Sequence, residues 1–231
     1  MSSPTLADRI IDFNKSLRFK GKLPKGIHIM NPFEENPEAM EISSRFYKKY
    51  YNDRQARKLI LGINPGRFGA GVTGIPFTDT KRLEEKCGLE WKGQSTHETS
   101  SVFIYDMIEK YGGVKSFYKN FFINSTSPLG FVTKDKTGKE KNYNYYDSME
   151  LLNGVEKFII DSIKKIISLK VEEEVCYCLG TGKNYKYLTS LNKREKLFKN
   201  IIPLEHPRYV MQYKLKNKTY YIDKYLKALR G

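Results

Sequence analysis

Four short runs along the chain are mainly apolar, without alternation, and have β-branched or aromatic content: Lys58 to Ile63, Asn120 to Ile123, Val175 to Leu179 and Asn200 to Leu204. Runs of that length without alternation read as strands buried on both faces. The segments between them change period. From Met149 to Leu169, apolar Leu152, Val155, Ile159, Ile163, Ile166 and Ile167 recur at helical spacing, and Asp147 with Glu150 gives this helix a capping-box-like start. Further helices are predicted at Thr99 to Lys110, Asn184 to Leu191 and Asp223 to Leu229, and two more, Leu6 to Arg18 and Pro37 to Tyr51, precede the first strand. Strands alternating with helices imply right-handed crossovers. The expected fold is therefore α/β, a three-layer α/β/α sandwich around a central, mostly parallel four-stranded sheet. Residues 1–231 read as one domain, with 1–27 a helical N-terminal extension and 133–146 a basic loop inserted outside the core.

Composition narrows the partners. Hydrophobic residues at 39% of 231 suffice for a sizeable core. No run of eighteen apolar residues occurs, and the first seven residues lack the charged start and apolar stretch of a leader. The expectation is a cytoplasmic, nucleoid-associated protein with no membrane partner. Cys87, Cys176 and Cys178 are too few and too oddly spaced for a disulfide framework. The last two alternate along a strand and read as core filler, with metal ligation the alternative. The 41 Lys and Arg against 26 Asp and Glu leave a net charge of +15, the electrostatic footprint of a protein that holds polyanions. A Lys-rich surface kept for solubility would give the same count. Segment 133–146, TKDKTGKEKNYNYY, is accordingly either a solvated loop or a Tyr-bearing arm that touches nucleic acid.

Ligands of an open parallel sheet bind beyond the carboxyl ends of its strands. The residues there are Asn64, Asn124, the turn Gly180-Thr181-Gly182, and His206. Asn and Gly also end strands for purely structural reasons, but two amides and an imidazole on one rim make a chemical set. Asn64 opens a loop, GINPGRFGAGVTGIPF at 62–77, with five glycines and two prolines. Such a loop lets backbone approach a ligand closely. It lacks the Gly-Lys-Ser/Thr ending of a phosphate-binding loop and does not match G-x-G-x-x-G, which disfavours nucleotide binding.

That loop resembles motif 1 of the single-strand-selective monofunctional uracil-DNA glycosylases. Phe121-Phe122-Ile123-Asn124 with Ser127-Pro128-Leu129 resembles the base-reading strand of that family, Leu179-Gly180-Thr181-Gly182 its Gly-x-Gly turn, His206-Pro207 the start of its motif 2, and Met30-Asn31-Pro32-Phe33-Glu34 the segment ahead of motif 1. The resemblance runs in order from about Ile29 to the C-terminus. Two departures, Arg67 for the usual Pro and Arg208-Tyr209-Val210 for the usual Ser-Pro-Arg, place the chain with a divergent bacterial branch.

The resemblance implies removal of uracil, or a close relative such as a 5-substituted uracil or xanthine, from single- or double-stranded DNA by a monomer without cofactor or metal. The base must leave the stack and enter a pocket. By resemblance, Phe77 stacks on it and Asn124 reads its N3–H and O4, a pattern that cytosine presents in reverse. His206 then donates to O2, where negative charge develops, and Asn64 orients the attacking water. Ile63 and Gly66 wall the pocket, Gly66 near uracil C5. Arg67, Arg208, Tyr209 and Lys214 are candidate DNA contacts, or else ordinary basic surface. No motif-matched Lys offers Schiff-base chemistry, so no strand cleavage is expected. Two alternatives stand beside this: a mismatch- or hypoxanthine/xanthine-directed glycosylase on the same fold, and a nucleic-acid-binding protein without catalysis.

Overall fold

The computed structural model describes residues 3–231. Of the N-terminal stretch 1–27, residues 1 and 2 lie outside the described residues. In chain order the elements are α1 (Leu6–Ser16), β1 (Ile27–Met30), α2 (Pro32–Glu35), α3 (Pro37–Tyr50), β2 (Arg57–Gly62), α4 (Ala70–Thr73), α5 (Thr80–Glu85), α6 (Thr99–Tyr111), α7 (Gly113–Asn120), β3 (Phe121–Ser125), β4 (Gly130–Lys134), β5 (Glu140–Tyr143), α8 (Met149–Ser168), β6 (Val171–Leu179), α9 (Lys183–Glu195), β7 (Asn200–Leu204), α10 (Pro207–Tyr213) and α11 (Lys218–Arg230).

The four apolar runs form one sheet in the order β3-β2-β6-β7, parallel throughout. Neighbouring side chains on a strand leave it on opposite faces, and β3 shows what each face meets. The Phe121 ring lies 5.5 Å from Tyr111 of α6 and 6.0 Å from Tyr177 of β6, while Phe122 meets Tyr47 of α3 and Tyr51. Tyr177 in turn donates from its hydroxyl to the Ala228 carbonyl of α11. Helices thus cover both faces, completing the three layers. α1 is part of the core: Leu6, Ala7, Ile10 and Phe13 are buried in the main cluster, and a capping box between Thr5 and Asp8 starts the helix. All three cysteines are buried free thiols. Among the described residues no helix is long and apolar enough to cross a membrane.

Several expectations require correction. Segment 133–146 is no inserted loop. β1, β4 and β5 form a second, antiparallel sheet, and β4 and β5 are a hairpin whose turn is tied by Asp135, which accepts from the amides of Thr137 and Lys139. Neither strand shows the long apolar run that marks a strand buried on both faces: β4 has only Phe131 and Val132 before Thr133, and Lys134, Glu140 and Lys141 face solvent. Tyr145, at the segment's end, is fully buried. The capping residue of α8 is Ser148, whose hydroxyl accepts from Leu151 N–H; Asp147 instead closes the preceding turn through Asn144 N–H. β6 begins at Val171 rather than Val175, because a register irregularity against β2 turns the polar 172–174 outward. α11 starts five residues ahead of the expected Asp223.

Candidate active site

The strand tips are drawn together by a buried amide that the sequence did not single out. Asn184, on the first turn of α9, donates from Nδ2 to the carbonyls of Gly62 on β2 and Leu179 on β6. Its Oδ1 accepts from the Thr126 hydroxyl beyond β3 at 3.1 Å and from the Tyr145 hydroxyl at 2.7 Å. One side chain thereby joins the ends of three strands to the chain that follows β5.

Above this junction lies a cavity of about 250 Å³. Ile63, Asn64, Gly66, Phe77 and His206 line it, with Arg208 and Tyr209 at its α10 side. Asn124 does not. It borders a smaller cavity of about 20 Å³ that shares Pro65, Ala70, Pro76 and Ser125 with the larger one. The Asn124 Oδ1 is turned back onto the Ser125 amide at 2.7 Å, and its Nδ2 has no hydrogen-bond partner among the described residues. Arg67 and Lys214 also stand outside the cavity wall: Arg67 reaches Glu140 at 3.6 Å and stacks on Phe68, and Lys214 follows α10 as an exposed residue.

His206 caps the N-terminus of α10. Its Nδ1 accepts from Arg208 N–H at 3.2 Å, which leaves the proton of the neutral ring on Nε2. Burial of the ring, and then the Arg208 charge, push its pKa down from 6.5 to about 3. The imidazole is therefore neutral at physiological pH and carries a donor. The Phe77 ring lies 5.8 Å from it at 50°. Phe77 holds this place with a φ of 53°, a left-handed conformation that costs a side-chain-bearing residue about 1–2 kcal/mol. Its ring rests on Gly62, where a Cβ would lie 2.9 Å from Cε2; only glycine admits that contact.

Asn64 is already engaged. Its Oδ1 accepts from Tyr145 N–H at 3.2 Å and its Nδ2 donates to the Tyr143 carbonyl at 3.3 Å, so the hairpin segment holds the motif-1 loop through this amide. Asn142 of β5 accepts from Arg67 N–H and also lines the cavity. Glu98, immediately before α6, lines it too. Burial raises the Glu98 pKa, a shift that Arg208 opposes and Asp79 reinforces. A Cβ on Gly66 would lie 2.7 Å from Glu98 Oε1 and 3.6 Å from Asn142 Nδ2, so the absent side chain leaves that space to a carboxyl and an amide. Neither Glu98 nor Asn142 was anticipated. Glu98 carried a faint signal, an acidic residue just ahead of a predicted helix, whereas Asn142 was hidden in the supposed loop. Among the described residues no three His, Cys, Asp or Glu side chains gather as metal ligands would.

The cavity thus combines an aromatic face, a neutral imidazole donor, the amides of Asn64, Asn142, Asn144 and Gln212, and a buried carboxyl at the carboxyl ends of a parallel sheet. The family model of the uracil DNA glycosylase superfamily matches residues 48–230. Among solved structures, the crystal structure of wild-type SMUG2 from Pedobacter heparinus superimposes with a TM-score of 0.96 at 55% identity, covering 98% of this chain and 97% of that one. No curated protein matches the chain. Since the family model spans the region that supplies the whole cavity and the structural likeness runs almost end to end, the chain belongs to the uracil DNA glycosylase superfamily.

Proposed function

We propose that this uracil-DNA glycosylase hydrolyses the N-glycosidic bond in the cavity at the strand tips, with His206 as the donor to the departing base. The observation that carries this reading is the state of His206: a neutral ring whose Nδ1 is occupied by Arg208 N–H and whose Nε2–H is left to donate. As the C1′–N1 bond breaks, negative charge moves onto uracil O2. A fixed neutral donor stabilises that charge without first giving up a proton. Phe77 offers a face on which the flipped base stacks, a contact worth about 1–3 kcal/mol, and its strained φ is consistent with a ring held in place for a ligand. Ile63 and Gly66 are the walls.

Asn124 is the specificity amide in this reading. A base seated deep in the cavity reaches the Pro65, Pro76 and Ser125 wall common to both cavities, where the unpartnered Nδ2 can donate to uracil O4. Rotation of Oδ1 away from Ser125 N–H then presents an acceptor to N3–H. Cytosine meets both groups with the wrong polarity and leaves them buried and unpaired, which is why rejection is severe. Arg208 and Tyr209, at the cavity's α10 side, and Arg67 and Lys214 beyond it contact the DNA strand. The full set of side chains comes from one chain, so a monomer is sufficient.

The test is release of free base from single- and double-stranded oligonucleotides carrying uracil, 5-hydroxymethyluracil, xanthine or a G·T mismatch. Uracil is expected to leave fastest. Faster release of xanthine or mismatched thymine would reassign the substrate, and binding without any release would leave only a nucleic-acid-binding protein.

A further inference from the structure

Asn64 is a weak candidate for receiving a proton. An amide is not a base at neutral pH, and here both of its polar atoms are bonded to the backbone of the hairpin segment, at Tyr143 and Tyr145. Hydrolysis nevertheless leaves a proton to place, since the water that bonds to C1′ must lose one. Glu98 stands in the same cavity. It occupies the residue before α6, and its side chain makes no capping bond to the helix amides. The carboxyl turns into the cavity instead, with a side chain only 12% exposed. Its Oε2 accepts from the Ser101 hydroxyl at 3.4 Å. Its Oε1 accepts no hydrogen bond among the described residues; Arg208 Nη2, 3.9 Å away, forms an ion pair with it but lies beyond hydrogen-bond distance.

From this geometry we propose that Glu98 Oε1 is the proton acceptor for the attacking water, a catalytic role in the reaction assigned above. The inference rests on that assignment. As the C1′–N1 bond breaks, its electron pair leaves with uracil. The water oxygen bonds to C1′, and one water proton passes to Glu98. The products are an abasic deoxyribose bearing a hydroxyl, a uracil anion held by the His206 Nε2–H, and a protonated Glu98 that returns its proton to the departing base. The negative carboxylate also faces the sugar as positive charge builds on it. The charged groups facing Glu98 are Arg208 from α10 and Asp79 from the segment before α5, with Arg82 bonded to Asp79 and His97 close by. Burial outweighs Arg208 and lifts the Glu98 pKa above 4.5, towards the range in which a general base is effective.

The experiment is single-turnover uracil release against pH, by the wild-type protein and by Glu98→Gln, with binding to an abasic-analogue oligonucleotide measured alongside. Proton acceptance predicts a wild-type rate that falls on the acid side through a pKa above 4.5. It also predicts a Glu98→Gln rate about 10²-fold lower or less, without that acid limb, and unchanged binding. His206, neutral down to about pH 3, does not supply such a limb. A wild-type rate flat from pH 4.5 to 8 overturns the proposal without any variant. So does a Glu98→Gln protein that keeps the wild-type rate, or one that loses binding while retaining the acid limb, since the carboxyl then serves only to hold Arg208. If the wild-type protein releases no uracil at all, it is the underlying function that fails.

Discussion

At the level of single residues the chemistry depends on an imidazole kept neutral by its surroundings. Burial and the Arg208 charge hold the His206 pKa at about 3 against an ordinary 6.5. The unfolded chain therefore binds a proton at this ring as pH falls through 6.5, and the folded chain does not until about 3. Folding stability rises with pH across that window and is lost as pH falls through it. Chemical denaturation of His206→Gln at pH values from 7 to 3 should show a shallower decline than the wild type; identical declines would mean that the ring titrates normally. His206→Ala should lower single-turnover uracil release by about 10²–10³, the cost of removing one preorganised donor from a developing oxyanion, while leaving DNA binding in place. Phe77→Ala should weaken capture of the flipped base by about 5- to 100-fold, in line with the loss of one stacked aromatic. A variant that binds and cuts as the wild type does would make Phe77 a plain packing residue.

Secondary-structure elements place these residues, and the sequence disclosed them unevenly. The four central strands were legible because both their faces are buried, so apolar residues run without interruption through Leu59, Ile60 and Leu61 or through Cys176, Tyr177 and Cys178. β4 and β5 were not: the central β4 offers only the short apolar stretch Phe131-Val132 before Thr133 and Lys134, and the edge strand β5 opens on Glu140, Lys141 and Asn142 in succession, a pattern shared by loops. The site followed the same rule. Asn64 and His206 follow strands and were read from position, whereas Phe77, at the end of the glycine-rich loop, came from the family resemblance. Glu98 and Asn142 belong to elements whose place in the fold no local pattern reveals. Asn184 was missed for the same reason, although it fastens the Gly62, Leu179 and Thr126 backbone or side-chain groups to Tyr145. Asn184→Ala would strand several buried partners and should destabilise the fold by about 2–4 kcal/mol, read as a shift of the denaturation midpoint. A shift under about 0.5 kcal/mol would show that the strand tips hold together without it.

For the molecule as a whole, the +15 charge and the exposed Tyr209 and Tyr213, their rings 5.7 Å apart and tilted by 41° beside the cavity, suit a strand of alternating phosphates and bases. Affinity for single-stranded DNA should fall with salt by about 0.7 log units per log unit for each phosphate held; an affinity indifferent to salt would deny the charge any part in binding. Domain-scale order supports the chemistry in one further way. The small antiparallel sheet carries β5 against the motif-1 loop, so a segment expected to be a basic loop supplies Asn142 and Asn144 to the cavity wall and holds Asn64 through Tyr145 N–H. The most direct measurement of the central claim is a crystal structure of the protein with the products of its reaction, uracil and abasic DNA. Uracil is expected on the Phe77 ring, with O2 within hydrogen-bond distance of His206 Nε2 and its N3–O4 edge towards Asn124. Uracil bound elsewhere, or bound in this cavity with O2 turned away from His206, would contradict that claim.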